Sequence, residues 1–121
     1  MKRVYIDYLR DMLENAKRAG QFTSGMSFES FSKDDQTVYA VIRAVEIIGE
    51  AARNVPEDTR TKYPQIPWRD VAGMRDKLIH QYFGINMEVV WQTIHEDLPM
   101  LIEHWKKFSG GKMKIPNSIT Q

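Results

Sequence analysis

The stretch Pro67-Trp68-Arg69-Asp70-Val71-Ala72-Gly73-Met74-Arg75-Asp76-Lys77-Leu78-Ile79-His80-Gln81-Tyr82-Phe83-Gly84 reads as one amphipathic helix. Proline suits a first helical position, where its missing N–H would have had no partner. Trp68, Val71, Leu78 and Tyr82 then recur on one side, and Gly84 ends the run. Arg75 falls inside that apolar stripe on an ideal helix, an anomaly because arginine is almost never buried alone.

The rest of the chain has the same period. Val4, Tyr8, Leu9, Met12, Leu13 and Ala16 mark a first helix that Gly20 breaks. Phe22, Met26, Phe28 and Phe31 lie in a Gly/Ser/Thr-rich connector and are expected to fold back onto the core. Ser32 and Asp35 have the spacing of a capping box for a second helix. Val38, Val41, Ile42, Val45, Ile48, Ala52 and Val55 line its face, and Pro56 marks its exit. Residues 56–67 predict a short turn of helix and a stiff connector. A last helix runs from about Asn86 to Phe108, with Pro99 inside it as a kink or a division. No segment alternates long enough to be a strand. The predicted fold is all-α: a bundle of four main helices plus a short connecting one. Residues 1–108 form the domain, and 109–121, opening on Ser109-Gly110-Gly111, read as a flexible tail.

Composition narrows the function classes. At 121 residues the chain is one domain's length, and with no cysteine it has neither disulfides nor thiolate metal sites. There is no membrane-spanning run and nothing like a signal peptide at the start, which fits the cytoplasm. The net charge of +1 gives no overall reason to bind nucleic acid, so any such contact must be local. Lys106, Lys107, Lys112 and Lys114 form one cluster, equally suited to a helix carboxyl end.

Two readings of Arg75 stay open: a structural pair with a carboxylate on the second helix, for which Glu46 has the right phase, or a cation held ready for phosphate. His80 lies about 140° from Arg75 on an ideal helix, so the two do not face each other. Asp76, one turn before His80, is placed to orient its ring. Zinc-protease spacing is absent after His95-Glu96, and there is no Gly-rich phosphate loop. Neither a metal nor a cofactor is expected.

Arg75-Asp76-x-x-x-His80 matches the R-x4-H signature of the HEPN superfamily, and Tyr82 completes the R-x4-H-x-Y form that resembles HepT-type toxins. Ile66-Pro67-Trp68-Arg69-Asp70, Phe83-Gly84 and Ile47-Ile48-Gly49-Glu50-Ala51-Ala52 extend the resemblance, which runs from about residue 3 to residue 107. It implies a metal-independent endoribonuclease with Arg75 and His80 as the catalytic pair, Asp76 and Glu46 in support, and an RNA substrate. It further implies a homodimer or higher even oligomer whose motifs line a shared cleft. The implied partner is a minimal nucleotidyltransferase antitoxin that can attach AMP to Tyr82. The alternative is a non-catalytic module that binds a nucleotide or that partner.

Overall fold

A computed structural model of the protein describes residues 5–80 and 84–109. The order is α1 (Tyr5–Phe22), α2 (Phe28–Ser32), α3 (Asp35–Asn54), α4 (Glu57–Lys62), α5 (Trp68–Ala72), α6 (Met74–Leu78), β1 (Ile79–His80), β2 (Gly84–Ile85), α7 (Met87–Gln92), a π-helical turn (Thr93–Asp97) and α8 (Leu98–Ser109). The architecture is an all-α bundle with a two-residue-arm hairpin set into it. No described helix is long and apolar enough to cross a membrane.

Helix α3 is the central element, packed along α1 on one side and against α5 and α6 on the other, with α8 lying over α1. Its stripe of Val38, Val41, Ile42, Val45, Ile48 and Ala52 is buried, as are Leu9, Met12, Leu13 and Ala16 of α1. Leu98, Leu101 and Trp105 close the core from α8. Each such aliphatic side chain stabilises the fold by roughly 1.5–3 kcal/mol on full burial, so these faces dominate over helix propensity.

Three local details differ from the reading of the sequence, and a fourth, the division at Pro99, is given its form. Helix α1 runs through Gly20 to Phe22, and Phe22 is largely exposed rather than folded back. The connector contains α2, held by a reciprocal Ser27–Ser30 capping box, and it buries Phe31 completely. The cap of α3 is Asp34, whose side chain accepts from the Thr37 N–H at 3.1 Å, while Ser32 belongs to α2. The division near Pro99 takes the form of the π turn just before it. Proline brings no N–H to bond back toward His95, and a wider turn at this point absorbs the mismatch. Within that turn His95 lies on the Trp91 ring, centroids 4.1 Å apart, and its Nδ1 is 2.9 Å from the Trp91 carbonyl oxygen.

The largest departure falls on residues 67–80. The expected single helix is broken twice, at Gly73 and after Leu78. Ile79 is extended, with φ −119° and ψ 121°, and starts the hairpin in which Ile79 pairs with Ile85 and His80 with Gly84. The Asn86 N–H bonds to the Leu78 carbonyl at 2.8 Å and fastens the far arm to the end of α6. Gly84 holds φ +77°, a conformation that side-chain-bearing residues rarely adopt. Tyr82, Gln81 and Phe83 lie outside the described residues, as does the tail from 110 onward.

Candidate functional site

The site is built on the outer face of α3, where Arg43, Glu46, Gly49, Glu50 and Arg53 follow one another at helical spacing. Gly49 is the point of closest approach. A Cβ there would lie 3.1 Å from the Ala72 carbonyl oxygen and 3.6 Å from that of Val71. The last turn of α5 therefore rests on the α3 backbone. Arg53 locks the crossing by donating from its guanidinium to the Ala72 carbonyl at 2.7 Å, a cation on a helix carboxyl end.

From that fixed point the chain passes Gly73 and re-enters a helical turn, with the Asp76 N–H bonded to the Gly73 carbonyl. Met74 and Leu78 take the inward positions of α6, and Arg75 is turned outward over α3. Its Nε donates to Glu46 Oε2 at 2.9 Å, the partner that helical phase had suggested. Arg43 stands 3.7 Å from the other oxygen of Glu46, and Asp76 stands 3.7 Å from the Arg75 guanidinium. These groups, with Gly49, Glu50, Arg53 and Ala72, enclose a hollow of about 280 Å³.

Arg75 is not an arginine buried in an apolar stripe, because the break at Gly73 rotates the stripe away from it. Its side chain is 48% exposed and that of Glu46 is 31% exposed. An ion pair this wet is worth about 0–1 kcal/mol, enough to orient the guanidinium and too little to withhold it from a phosphate. A structural role and a phosphate-binding role are thus compatible in one geometry.

His80 is placed by its backbone in β1, opposite Gly84; its side chain and Tyr82 lie outside the described residues. The angle of about 140° from Arg75 assumed a continuous helix and does not apply. Asp76 is likewise not one helical turn before His80, since α6 ends at Leu78. The Asp76 side chain is 84% exposed and lies beside Arg75. Arg43 and Arg53 were not singled out from the sequence, and Gly49 entered only within the stretch that carries the family resemblance. The spacing of the α3 charges was the available signal, and only Glu46 was taken from it.

The sequence profile described as Ribonuclease HepT-like matches residues 12–108. The chain belongs to the HepT-like ribonuclease family. It is 50% identical over 107 residues to a Thermococcus cleftensis protein named "Probable ribonuclease HepT", covering 88% of this chain and 97% of that one. A Methanocaldococcus jannaschii protein provisionally named an RNase is 52% identical over 92 residues, 76% of each chain. Another, from Caldanaerobacter subterraneus, is 43% identical over 100 residues, 83% of this chain and 89% of its own. No solved structure gives a significant match.

Proposed function

We propose that this protein is an endoribonuclease of the HepT type that cuts RNA without a metal ion, with Arg75 and His80 carrying the reaction. The observation behind this reading is the held but half-exposed Arg75 guanidinium, at the edge of a hollow and five positions before His80 where the chain leaves its helix. The ribose 2′-hydroxyl attacks the adjacent phosphorus, the bond to the 5′-oxygen breaks, and a 2′,3′-cyclic phosphate remains. His80 acts as general base on the hydroxyl or as general acid to the departing oxygen, imidazole being the common side chain whose ordinary titration range lies near neutral pH. Arg75 binds the phosphate and stabilises charge gathering on its oxygens. A second copy would supply a second motif to the same cleft, as in a closed two-fold dimer.

In the cell this activity is that of a toxin, restrained by a minimal nucleotidyltransferase antitoxin. The antitoxin would transfer AMP from ATP to the Tyr82 hydroxyl, releasing pyrophosphate. The added phosphate would repel RNA two residues from His80. A non-catalytic module that binds a nucleotide or that partner, with Arg75 as a binding residue, is the second reading, and the held, half-exposed guanidinium suits it as well.

RNA cleavage by the purified protein in EDTA, wild type beside His80→Ala and Arg75→Ala, separates the two. The expected result is cyclic-phosphate ends from wild type and a loss on the order of 10²-fold or more in either variant. A folded, unmodified wild type that leaves every RNA intact would overturn the ribonuclease reading in favour of the binding module.

A further inference from the structure

Across Ala72 from the Arg75 hollow lies a second, more open one, formed by α4 and α5 and lined by Glu57, Arg60, Thr61, Trp68, Arg69 and Ala72. Ala72 lines both hollows, so they are neighbours on one surface. Their arginines are used differently. In the first, Arg75 donates to Glu46 and Arg53 to the Ala72 carbonyl. In the second, neither Arg60 nor Arg69 makes an ion pair or side-chain hydrogen bond among the described residues, and the Nε of Arg60 is shut from solvent with no acceptor. Set against Glu57, two uncommitted guanidinium groups leave this small lining with a local excess of one positive charge.

Trp68 adds an aromatic ring to that charge. Its Nε1–H donates to the Tyr63 carbonyl at 3.1 Å, and the half-buried ring packs against the core, so its plane is fixed before anything binds. A fixed aromatic face beside unpaired arginines is the combination that binds single-stranded nucleic acid: every base has a π-face to stack, and every nucleotide a phosphate for a guanidinium. Trp68 and Arg75 border hollows that share Ala72 as a wall, so the gap between them is short. A short length of single strand covers that span.

We propose that this second hollow is a subsite for an unpaired RNA base, stacked on Trp68 with its phosphate on Arg60 and Arg69, from which the strand passes Ala72 to reach Arg75. The proposal rests on the ribonuclease reading and deepens it, naming single-stranded RNA as the substrate class. A base within a duplex stays stacked on its neighbours and offers no free face.

The test measures binding of a non-cleavable single-stranded 2′-O-methyl oligonucleotide by fluorescence anisotropy, beside cleavage of the matching RNA. Arg69 is exposed and unpaired, so Arg69→Gln should fold normally. It should weaken oligonucleotide binding several-fold, flatten its salt dependence, and raise KM while kcat holds. Trp68→Leu should weaken binding on the order of tenfold, whereas Trp68→Phe, which keeps a stacking ring, retains most of it. If Trp68→Leu melts early, Arg69→Gln decides. Unchanged binding in Arg69→Gln and in folded Trp68→Leu would overturn the subsite, as would a duplex bound as tightly as the single strand. The two ideas fail separately. Oligonucleotide binding that depends on Trp68 without any RNA cleavage would leave the subsite standing and remove the ribonuclease reading; cleavage with binding indifferent to both residues would do the reverse.

Discussion

Glu46 and Arg75, 29 residues apart in the chain, meet through a 2.9 Å hydrogen bond at the rim of the hollow between α3 and α6. The carboxylate orients the guanidinium but, on the proposed reading, also sets a negative charge beside the phosphate that Arg75 would hold. Glu46→Ala should therefore split the kinetic constants: kcat several-fold lower because Arg75 loses its orientation, and KM unchanged or lower because repulsion is relieved. Stability should move by less than about 1 kcal/mol. Steady-state cleavage kinetics and a denaturant titration check both; a raised KM at unchanged kcat would contradict the positioning role.

Arg75→Lys keeps the charge and loses the planar fork of donors. If a phosphate is held in two-point fashion, lysine should rescue little of the activity that alanine removes. Recovery to near wild-type rates would mean that a point charge suffices at this position.

Gly49→Ala weighs two opposed effects. Alanine is favoured over glycine inside a helix by about 1 kcal/mol. Against this, the new Cβ would sit 3.1 Å from the Ala72 carbonyl oxygen, which is backbone and is also held by Arg53. Overpacking of this kind costs about 1–3 kcal/mol, so the variant should be less stable on balance. It should also lose activity, because α5 and α6 must shift and carry Arg75 with them. A melting temperature at or above wild type would show that the helix crossing yields easily.

Trp105 is fully buried, and its Nε1–H has no partner among the described residues. Trp105→Ala should cost about 3–5 kcal/mol through the cavity it leaves. Trp105→Phe should cost clearly less, since removal of an unpaired buried donor offsets part of the lost packing. Equal losses in urea unfolding would argue that the indole N–H is satisfied.

Lys17 supplies a pH signature. Burial, and then the nearby Lys106, hold its ammonium below the usual lysine range, with Glu103 opposing. The folded-state value lies below the unfolded one, so the charged form opposes folding at neutral pH. That penalty fades as pH rises through the folded value toward the ordinary 10.5. Lys17→Gln should be slightly more stable than wild type at pH 7, with the difference closing in alkaline buffer. Paired urea titrations read the sign directly.

Much of this protein was legible from local pattern. The stripes on α1, α3 and α8 repeat at helical period and face the core, because burying a continuous apolar face is the largest favourable term available to a short chain. The same period puts Glu46 on the edge of its stripe, which is why the partner of Arg75 could be named. The R-x4-H spacing and its neighbours carried the family resemblance without any coordinates.

Tertiary structure alone decided how residues 67–80 run. Their period suits an unbroken helix, and neither Gly73 nor Ile79 forbids one strongly enough to be read as a stop. The break is set by partners remote in sequence: the α3 backbone at Gly49 admits the end of α5, Arg53 caps Ala72, and Asn86 captures the Leu78 carbonyl. Each bond is worth about a kilocalorie or so, comparable with the helical bonds given up, and hydrophobic period cannot register that balance. It turns Arg75 outward toward Glu46 and puts the His80 backbone on a strand. The sequence by itself named Arg75, His80 and Glu46 as candidates, and the packing of α5 and α6 on α3 decided how Arg75 is presented and which α3 groups surround it.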